Sequence, residues 1–232
     1  MTVSVVVVMS VDGKLTRHDE SDIHKWVSDE DQEFFRPLLA SHDVIIMGRN
    51  TYEAVQPNLR LDQPIRRIVL TSHPQQFTEQ ALLDIRKARS SPDLSNSAAN
   101  GFSSFDVSTD TSSSDKTVFA RVNSPLERTI LRKSSIKDRL EFRNEKSTDL
   151  VKRLKREGIK KVLIVGGPRI ISELLKGKLI DFLYLTIEPR LFGQGVLLLD
   201  SFPIDIELNL VEHKELNKKG TILLKYSLKQ TQ

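Results

Sequence analysis

The sequence contains no cysteine in its 232 residues, and this absence excludes several kinds of chemistry. Without thiols, the chain cannot form a disulfide framework, a thiolate metal site or a cysteine nucleophile. The valine-rich run near the N-terminus is too short to span a membrane, and no basic segment precedes it. We therefore expect a cytoplasmic protein that holds no metal and does not enter the membrane.

The chain also lacks a strong excess of charge, because its net charge at pH 7 is only +4. Basic residues concentrate in Arg121–Lys161, a pattern that on its own suggests nucleic-acid binding. They alternate there with Glu and Asp, and no aromatic platform for stacking bases accompanies them. We therefore expect a solvated helical surface in this segment, and no nucleic acid as a partner.

Short apolar runs rich in β-branched residues predict an α/β fold. Such runs at Val3–Met9, Asp43–Met47 and Ile65–Leu70 alternate with helical patterns, which is typical of a parallel sheet. The chain then changes to successive strands, and Leu208–His213 with Thr221–Leu228 predicts a C-terminal β-hairpin. The sequence therefore predicts a single domain, residues 1–232, with a mixed, mostly parallel sheet and helices on both faces.

Further elements and one insertion complete this prediction. Residues Ser90–Lys116 are rich in Ser, Asp, Asn and Thr and have little to bury, so we expect a disordered or mobile insertion. The remaining predicted strands are Thr117–Val122, Arg139–Phe142, Val162–Val165, Phe182–Ile187 and Val196–Leu199. Helices are predicted after Ser28, at Pro125–Arg132, at Thr148–Glu157 with Ser147 as its cap, and from Pro168.

Small or hydroxyl-bearing residues follow three of the predicted strands. Gly166-Gly167 turns the chain into a helix that begins at Pro168, and Gly48 and Thr71-Ser72 leave two other strands. Glycine permits close approach to the backbone, and a helix N-terminus favours phosphate. This recurrence predicts a phosphate-rich ligand across the carboxyl edge of the sheet. The alternative, that the glycines serve only the turns, stays open.

Several segments in order resemble one known family. They are SVDGKL at Ser10–Leu15, WVSDED at Trp26–Asp31, MGRNTYE at Met47–Glu53, RIVLTS at Arg67–Ser72, GIKKVLIVGG at Gly158–Gly167 and LIDFLYLTIEPRLFGQG at Leu179–Gly195. Together they resemble the reductase domain at the C-terminus of bifunctional riboflavin deaminase–reductases. That domain belongs to the dihydrofolate-reductase-like superfamily, so the resemblance implies that fold for residues 1–232.

The resemblance also implies a reaction. It implies an NADPH-dependent oxidoreductase that transfers a hydride to the C=N bond of a ribosylamino-pyrimidine 5′-phosphate in riboflavin biosynthesis. Carried over residue by residue, the cofactor would lie near Gly48, Arg49, Asn50, Thr51, Leu70, Thr71, Ser72, Gly166, Gly167, Pro168, Arg169 and Ile170. The substrate would lie near Trp26, Ser28, Arg66 and Thr186, with Arg67 and Arg190 as further candidates for its phosphate. We also expect a homodimer, although the residues themselves do not determine the oligomeric state.

Asp31 is the predicted catalytic residue, because its spacing from Trp26 matches the substrate-binding carboxylate of dihydrofolate reductases. A buried carboxylate there can bind the edge of a pyrimidine or pterin ring and help to protonate it. Alternatively, Asp31 only charges a helix N-terminus, and Arg49 only forms a surface ion pair. Two other functions also stay open: reduction of a pterin such as dihydrofolate, and NADP(H) binding without turnover. Val165, which stands where riboflavin-type domains carry an acidic residue, keeps the second of these open.

Overall fold

The computed structural model describes residues 1–20, 22–59, 63–81, 139–200 and 203–228. The predicted insertion Ser90–Lys116, the strand Thr117–Val122 and the helix Pro125–Arg132 lie outside these residues. The chain divides into two compact units, Met1–Pro74 with Ser134–Gln232 and Gln75–Lys133. In the second unit, residues 75–81 are helical. The prediction of a single domain stays a prediction.

The first unit is built on an eight-stranded sheet in the order β4-β3-β2-β5-β1-β6-β8-β7. The strands are β1 (Thr2–Ser10), β2 (Val44–Gly48), β3 (Arg66–Leu70), β4 (Leu140–Arg143), β5 (Lys161–Ile164), β6 (Phe182–Glu188), β7 (Leu208–Glu215) and β8 (Ile222–Leu228). The α-helices of this unit are α1 (Asp29–Ala40), α2 (Arg49–Val55), α3 (Ser147–Arg156) and α4 (Pro168–Lys176). Short 3-10 helices lie at Ile23–Lys25 and Gln56–Asn58.

The sheet is mixed but mostly parallel. The neighbours from β4 to β6 all pair in parallel, whereas β8 runs antiparallel to both β6 and β7. The predicted sheet and its C-terminal hairpin are therefore confirmed. Parallel strands end at the same edge of a sheet, so Ser10, Gly48, Leu70 and Glu188 all lie at the carboxyl edge.

Helices cover both faces of the sheet, as predicted. On one face, α3 and α4 pack their buried side chains, such as Leu154 and Leu174, against the alternate residues Val3, Val5 and Val7 of β1. Burial on both faces explains the continuous apolar runs in the sequence. The opposite face carries α1, because the Phe34 ring of α1 lies 6.0 Å from the Tyr184 ring of β6. On that face α2 packs in the same way, through an edge contact of Tyr52 with Phe142, 5.0 Å between ring centroids.

Two local predictions were wrong. Val196–Leu199 does not form a strand. The Val196 N–H donates to Thr16 Oγ1, the Val196 carbonyl accepts from the Leu15 N–H, and Leu197 makes only an isolated bridge. Ser147 is not a cap but the first residue of α3. Its hydroxyl donates instead to Glu173 Oε2 of α4, 2.7 Å away, so it links the two helices.

Candidate active site

Two glycine turns meet at the carboxyl edge of the sheet. Gly166 and Gly167 follow β5 with φ of +111° and +89°, a conformation that side chains other than glycine rarely adopt. A Cβ built on Gly166 would lie 3.3 Å from Thr51 Oγ1, and one built on Gly167 would lie 3.9 Å from the Gly48 nitrogen. The β2–α2 turn and the β5–α4 turn therefore form one cradle of bare backbone.

The N-terminus of α4 opens onto this cradle. Gly167 is its N-cap and offers no side chain, and Pro168 occupies the first turn. The backbone N–H groups of that turn are left for an anionic ligand, which the helix dipole also favours. Ile170 lines the cradle from α4, with its Cδ1 3.5 Å from the Cβ positions of Gly48 and Gly167. Arg169 is 85% exposed and pairs with Glu173 at 3.2 Å.

The end of β3 lies beside the same cradle, because Gly48 and Leu70 are paired in register. Thr71 is buried, and its hydroxyl accepts the His73 N–H at 3.2 Å. Exposed residues here include Ser72, Arg49 and Asn50. Arg49 has no ion-pair partner among the residues that the structure describes, so the surface-ion-pair alternative finds no support there.

The predicted catalytic residue, Asp31, lies in the first turn of α1 and is only 8% exposed. Burial raises the pKa of this carboxyl from 3.8 to about 6. The hydroxyl of Thr186 lowers the pKa again in part, and the negative charge of Glu188 raises it further. Asp31 can therefore carry a proton close to neutral pH, as a general acid requires.

Two buried polar atoms have no hydrogen-bond partner within the described residues: Trp26 Nε1, just before α1, and Thr186 Oγ1, on β6. Thr186 is close enough to Asp31 to affect its pKa, yet the two do not reach hydrogen-bond geometry. Trp26 is 2% exposed and meets the Phe192 ring edge-on, 5.1 Å between centroids. Since buried polar atoms are nearly always paired, these two are candidates for contacts with a polar ligand.

Ser28 links α1 to the end of β6. Its hydroxyl accepts the Asp31 N–H at 3.4 Å, as an N-cap does, and donates to Glu188 Oε1 at 2.7 Å. The Ser28 N–H donates to the same oxygen at 2.8 Å. Sequence reasoning missed Glu188. Its signal was an acidic residue two positions after Thr186, hence on the same face of a strand whose other residues are apolar.

The arginines predicted to bind phosphate are not brought together. Arg66 lies at the amino end of β3, on the opposite edge of the sheet, and pairs there with Glu141 and Glu157. Arg67 is 3% exposed and donates to the Ile65 carbonyl at 2.9 Å. Of the three, Arg190 lies at the carboxyl edge, where its carbonyl accepts the Val11 N–H at 2.9 Å. Arg66 and Arg67 are thus separated from the Asp31 cluster by the length of the strand.

The described part of the chain contains no group of His, Asp or Glu side chains that could hold a metal ion. It likewise contains no helix of the length and hydropathy needed to cross a membrane.

Solved structures with the same fold include both reductase types. A pyrimidine reductase-like protein of Corynebacterium diphtheriae has a TM-score of 0.63 and 16% identity over 99% of this chain and 92% of that one. A second structure is the diaminohydroxyphosphoribosylaminopyrimidine deaminase/5-amino-6-(5-phosphoribosylamino)uracil reductase of Thermotoga maritima. Its TM-score is 0.58 and its identity 15%, over 98% of this chain and 56% of that one. The dihydrofolate reductase of Enterococcus faecalis, complexed with NADP(H), has a TM-score of 0.54 and 14% identity, over 99% of this chain and 97% of that one. Identities this low show the fold alone, which is dihydrofolate-reductase-like as predicted.

No curated protein sequence matches the chain. The profile of one family does: the RibD C-terminal domain matches residues 1–222, nearly the whole chain. This match spans the glycine cradle, the Asp31 cluster and β7, and it ends at the first residue of β8, in agreement with the resemblance of the sequence motifs. The chain therefore belongs to the RibD C-terminal domain family.

Proposed function

We propose that the protein is an NADPH-dependent reductase of riboflavin biosynthesis. Its substrate would be a ribosylamino-pyrimidine 5′-phosphate, whose opened sugar presents a C=N bond for reduction to a ribityl chain. The family membership supports a pyrimidine reductase. The observation that carries the proposal is the position of buried Asp31 at the same sheet edge as the glycine cradle.

The residues of the cradle fit a dinucleotide. Gly48, Gly166 and Gly167 bring bare backbone together, and the uncapped N-terminus of α4 favours a diphosphate. Arg49 and Ser72 are exposed beside the cradle and suit the additional phosphate that distinguishes NADPH from NADH. The cofactor, when bound, supplies the hydride, whereas the protein supplies binding and orientation.

The Asp31 cluster suits the polar edge of a heterocyclic ring. Trp26 Nε1 offers a donor, Thr186 Oγ1 offers a hydroxyl that donates or accepts, and Asp31 offers a carboxyl. Because its pKa is raised to about 6, Asp31 can hold a proton for the substrate nitrogen. Ser28 contacts Asp31 directly, and of the three predicted arginines Arg190 lies at this edge of the sheet, so it is our candidate for binding a sugar phosphate.

The same cluster supports a second candidate, the reduction of a pterin such as dihydrofolate. Trp26 and Asp31 have the spacing of the corresponding pair in dihydrofolate reductases, and the structure buries both. A pterin and a pyrimidine present similar hydrogen-bonding edges, so the cluster alone accommodates either ring. What separates the two candidates is the phosphorylated sugar, for which Arg190 is the available cation.

The test is NADPH oxidation at 340 nm, run in parallel with the ribosylamino-pyrimidine phosphate, with dihydrofolate and with no substrate. Oxidation with the pyrimidine alone supports the proposed function, and oxidation with dihydrofolate alone supports the second candidate. NADPH binding without oxidation by either substrate would leave a cofactor-binding protein without turnover.

We also propose a homodimer. The support is β7, the edge strand of the sheet, which exposes Leu210 and Val211 at a β-bulge, at 53% and 52%. Light scattering coupled to size-exclusion chromatography measures the mass directly, and a monomer at micromolar concentration would contradict the proposal.

A further inference from the structure

Glu188 is a buried carboxylate at the carboxyl end of β6 and is only 3% exposed. It accepts the Ser28 N–H and hydroxyl on Oε1, and the Thr221 hydroxyl on Oε2 at 2.8 Å. No cation pairs with it among the described residues. Neutral donors alone compensate poorly for burying a charge, so this group costs stability. A cost of this kind is usual where a site needs the charge.

The hydrogen bonds of Glu188 lead directly to Asp31. Ser28 donates to Glu188 and accepts from the Asp31 N–H, so one hydroxyl connects the end of β6 with the first turn of α1. Thr186, whose hydroxyl has no partner among the described residues, precedes Glu188 by two positions on the same face of β6. The two buried carboxylates thus lie close together, one on a strand and the other on a helix.

We propose that Glu188 is a positioning residue for Asp31: its carboxylate fixes Ser28 and the helix terminus, and its charge adds to the burial that disfavours ionisation of Asp31. This inference rests on the proposed function in one respect, because it takes Asp31 as the residue that contacts the substrate. Negative charge beside a carboxyl disfavours a second negative charge. Glu188 therefore lets Asp31 serve as an acid without lying against the substrate itself.

Other charged groups surround the pair on each neighbouring element. On α1, Glu30 accepts from Asn217 at 3.1 Å, and Lys219 lies in the same β7–β8 turn as Asn217. Beyond β1, Asp12 accepts from Ser10, the residue paired with Glu188 in register. Glu30 and Lys219 are exposed and Asp12 is partly exposed, whereas Asp31 and Glu188 are buried, so the mutual effect of the buried pair should exceed that of these groups.

The variant Glu188→Gln removes the charge and keeps the shape. Its amide oxygen can still accept both Ser28 donors. Its amide nitrogen can donate to Thr221 Oγ1, which accepts one bond from Asn217 and has a second lone pair. The matched control is Asp181→Asn, which alters another carboxylate that accepts a backbone N–H, from Val3 at 2.7 Å, at the opposite end of β6.

The decisive measurement is the titration of the Asp31 carboxyl by ¹³C NMR, with the signal assigned by its loss in Asp31→Asn. In Glu188→Gln the Asp31 midpoint should move to lower pH by about 1 pH unit, and in Asp181→Asn it should stay. If both variants lose thermal stability and neither moves the midpoint, Glu188 is structural only. A wild-type midpoint near pH 4 would overturn the proposal without any variant, even if Glu188→Gln does not fold.

A second variant tests the positioning role. Ser28→Ala removes the bridging hydroxyl and leaves the charge of Glu188, so the Asp31 midpoint should remain high while kcat/KM falls by about tenfold or more. Unchanged kcat/KM would contradict the positioning role. The NMR titration needs no substrate, so it decides the role of Glu188 even if the protein reduces neither the pyrimidine nor dihydrofolate.

Discussion

Replacing Asp31 by Asn should abolish most activity and, above pH 6, make the protein more stable. Asn keeps the shape of the protonated carboxyl but cannot ionise. A carboxyl that is merely a helix-terminal charge would behave in the opposite way, because its removal costs about 0.3–1 kcal/mol of stability. The sign of the stability change therefore separates the two interpretations of Asp31.

The magnitude follows from the pKa, which the folded state raises from 3.8 to about 6. Below pH 4 the carboxyl is protonated in both the folded and the unfolded state, and the free energy of unfolding is unaffected. Between pH 4 and 6 the unfolded chain ionises first, so stability falls as the pH rises, and above pH 6 the full cost is reached. A difference of about two pKa units corresponds to about 3 kcal/mol. Because this difference already includes the helix dipole and every other interaction of the ionised carboxylate, Asp31→Asn should gain about 3 kcal/mol at pH 8, or roughly 6–12 °C in Tm for a domain of this size.

The assay is a series of thermal melts at pH 4, 6 and 8, with the exposed neighbour Asp29→Asn as the matched control at the same helix terminus. Asp31→Asn should match the wild type at pH 4 and exceed it at pH 8, whereas Asp29→Asn should lose a little stability at pH 8 and keep its activity. Turnover of Asp31→Asn should fall by about 10²–10⁴-fold. A Tm difference that does not depend on pH, or a loss of stability at pH 8, would refute the reasoning.

Three further predictions concern the cofactor and the insertion. In fluorescence titrations, Arg49→Gln should weaken NADPH binding by about tenfold and leave NADH binding unchanged. The control Arg156→Gln, on the opposite edge of the sheet, should alter neither affinity. Equal losses of affinity for both cofactors in Arg49→Gln would exclude a role of Arg49 in phosphate recognition. Gly167→Ala and Gly158→Ala carry similar backbone strain, with φ of +89° and +80°, and should each lose about 1–2 kcal/mol of stability. Only Gly167→Ala should lose NADPH affinity, so equal affinities would make the glycine pair purely structural. Replacing Ser90–Lys116 by a short Gly/Ser linker should leave Tm and NADPH affinity nearly unchanged, and a fall of many degrees would show that the segment packs against the core.

The sequence predicted the sheet well because its central strands are buried on both faces. A short, valine-rich run such as Val3–Met9 is typical of a buried strand, and the Gly166-Gly167 pair indicates a turn. The prediction that Arg66 binds substrate was wrong because it did not consider the direction of the strand. Its run of apolar neighbours identifies a strand, but the function of a residue depends on which end of the strand carries it, and Arg66 begins β3.

Glu188 was missed for a different reason, because its one sequence signal, an acidic residue on the same strand face as Thr186, is weak. A single acidic residue after an apolar strand is typical of a strand that ends in solvent, and the burial of Glu188 depends on contacts with Ser28 and Thr221, far away in sequence. The same holds for the unpaired atoms of Trp26 and Thr186. Lack of a partner is a property of three-dimensional packing, and no local pattern encodes it.

The two edges of the sheet differ in whether their charged side chains form ion pairs, and this difference supports the proposed position of the site. At the amino edge, Arg66 pairs with Glu141 and Glu157, so the charges there compensate one another and stabilise the fold. At the carboxyl edge, Asp31 and Glu188 are both buried without a cation among the described residues. An arrangement that costs stability persists in a protein when a ligand or a reaction uses it. One edge of the same sheet therefore maintains the structure, and the other is the edge at which we propose that a substrate is bound and protonated.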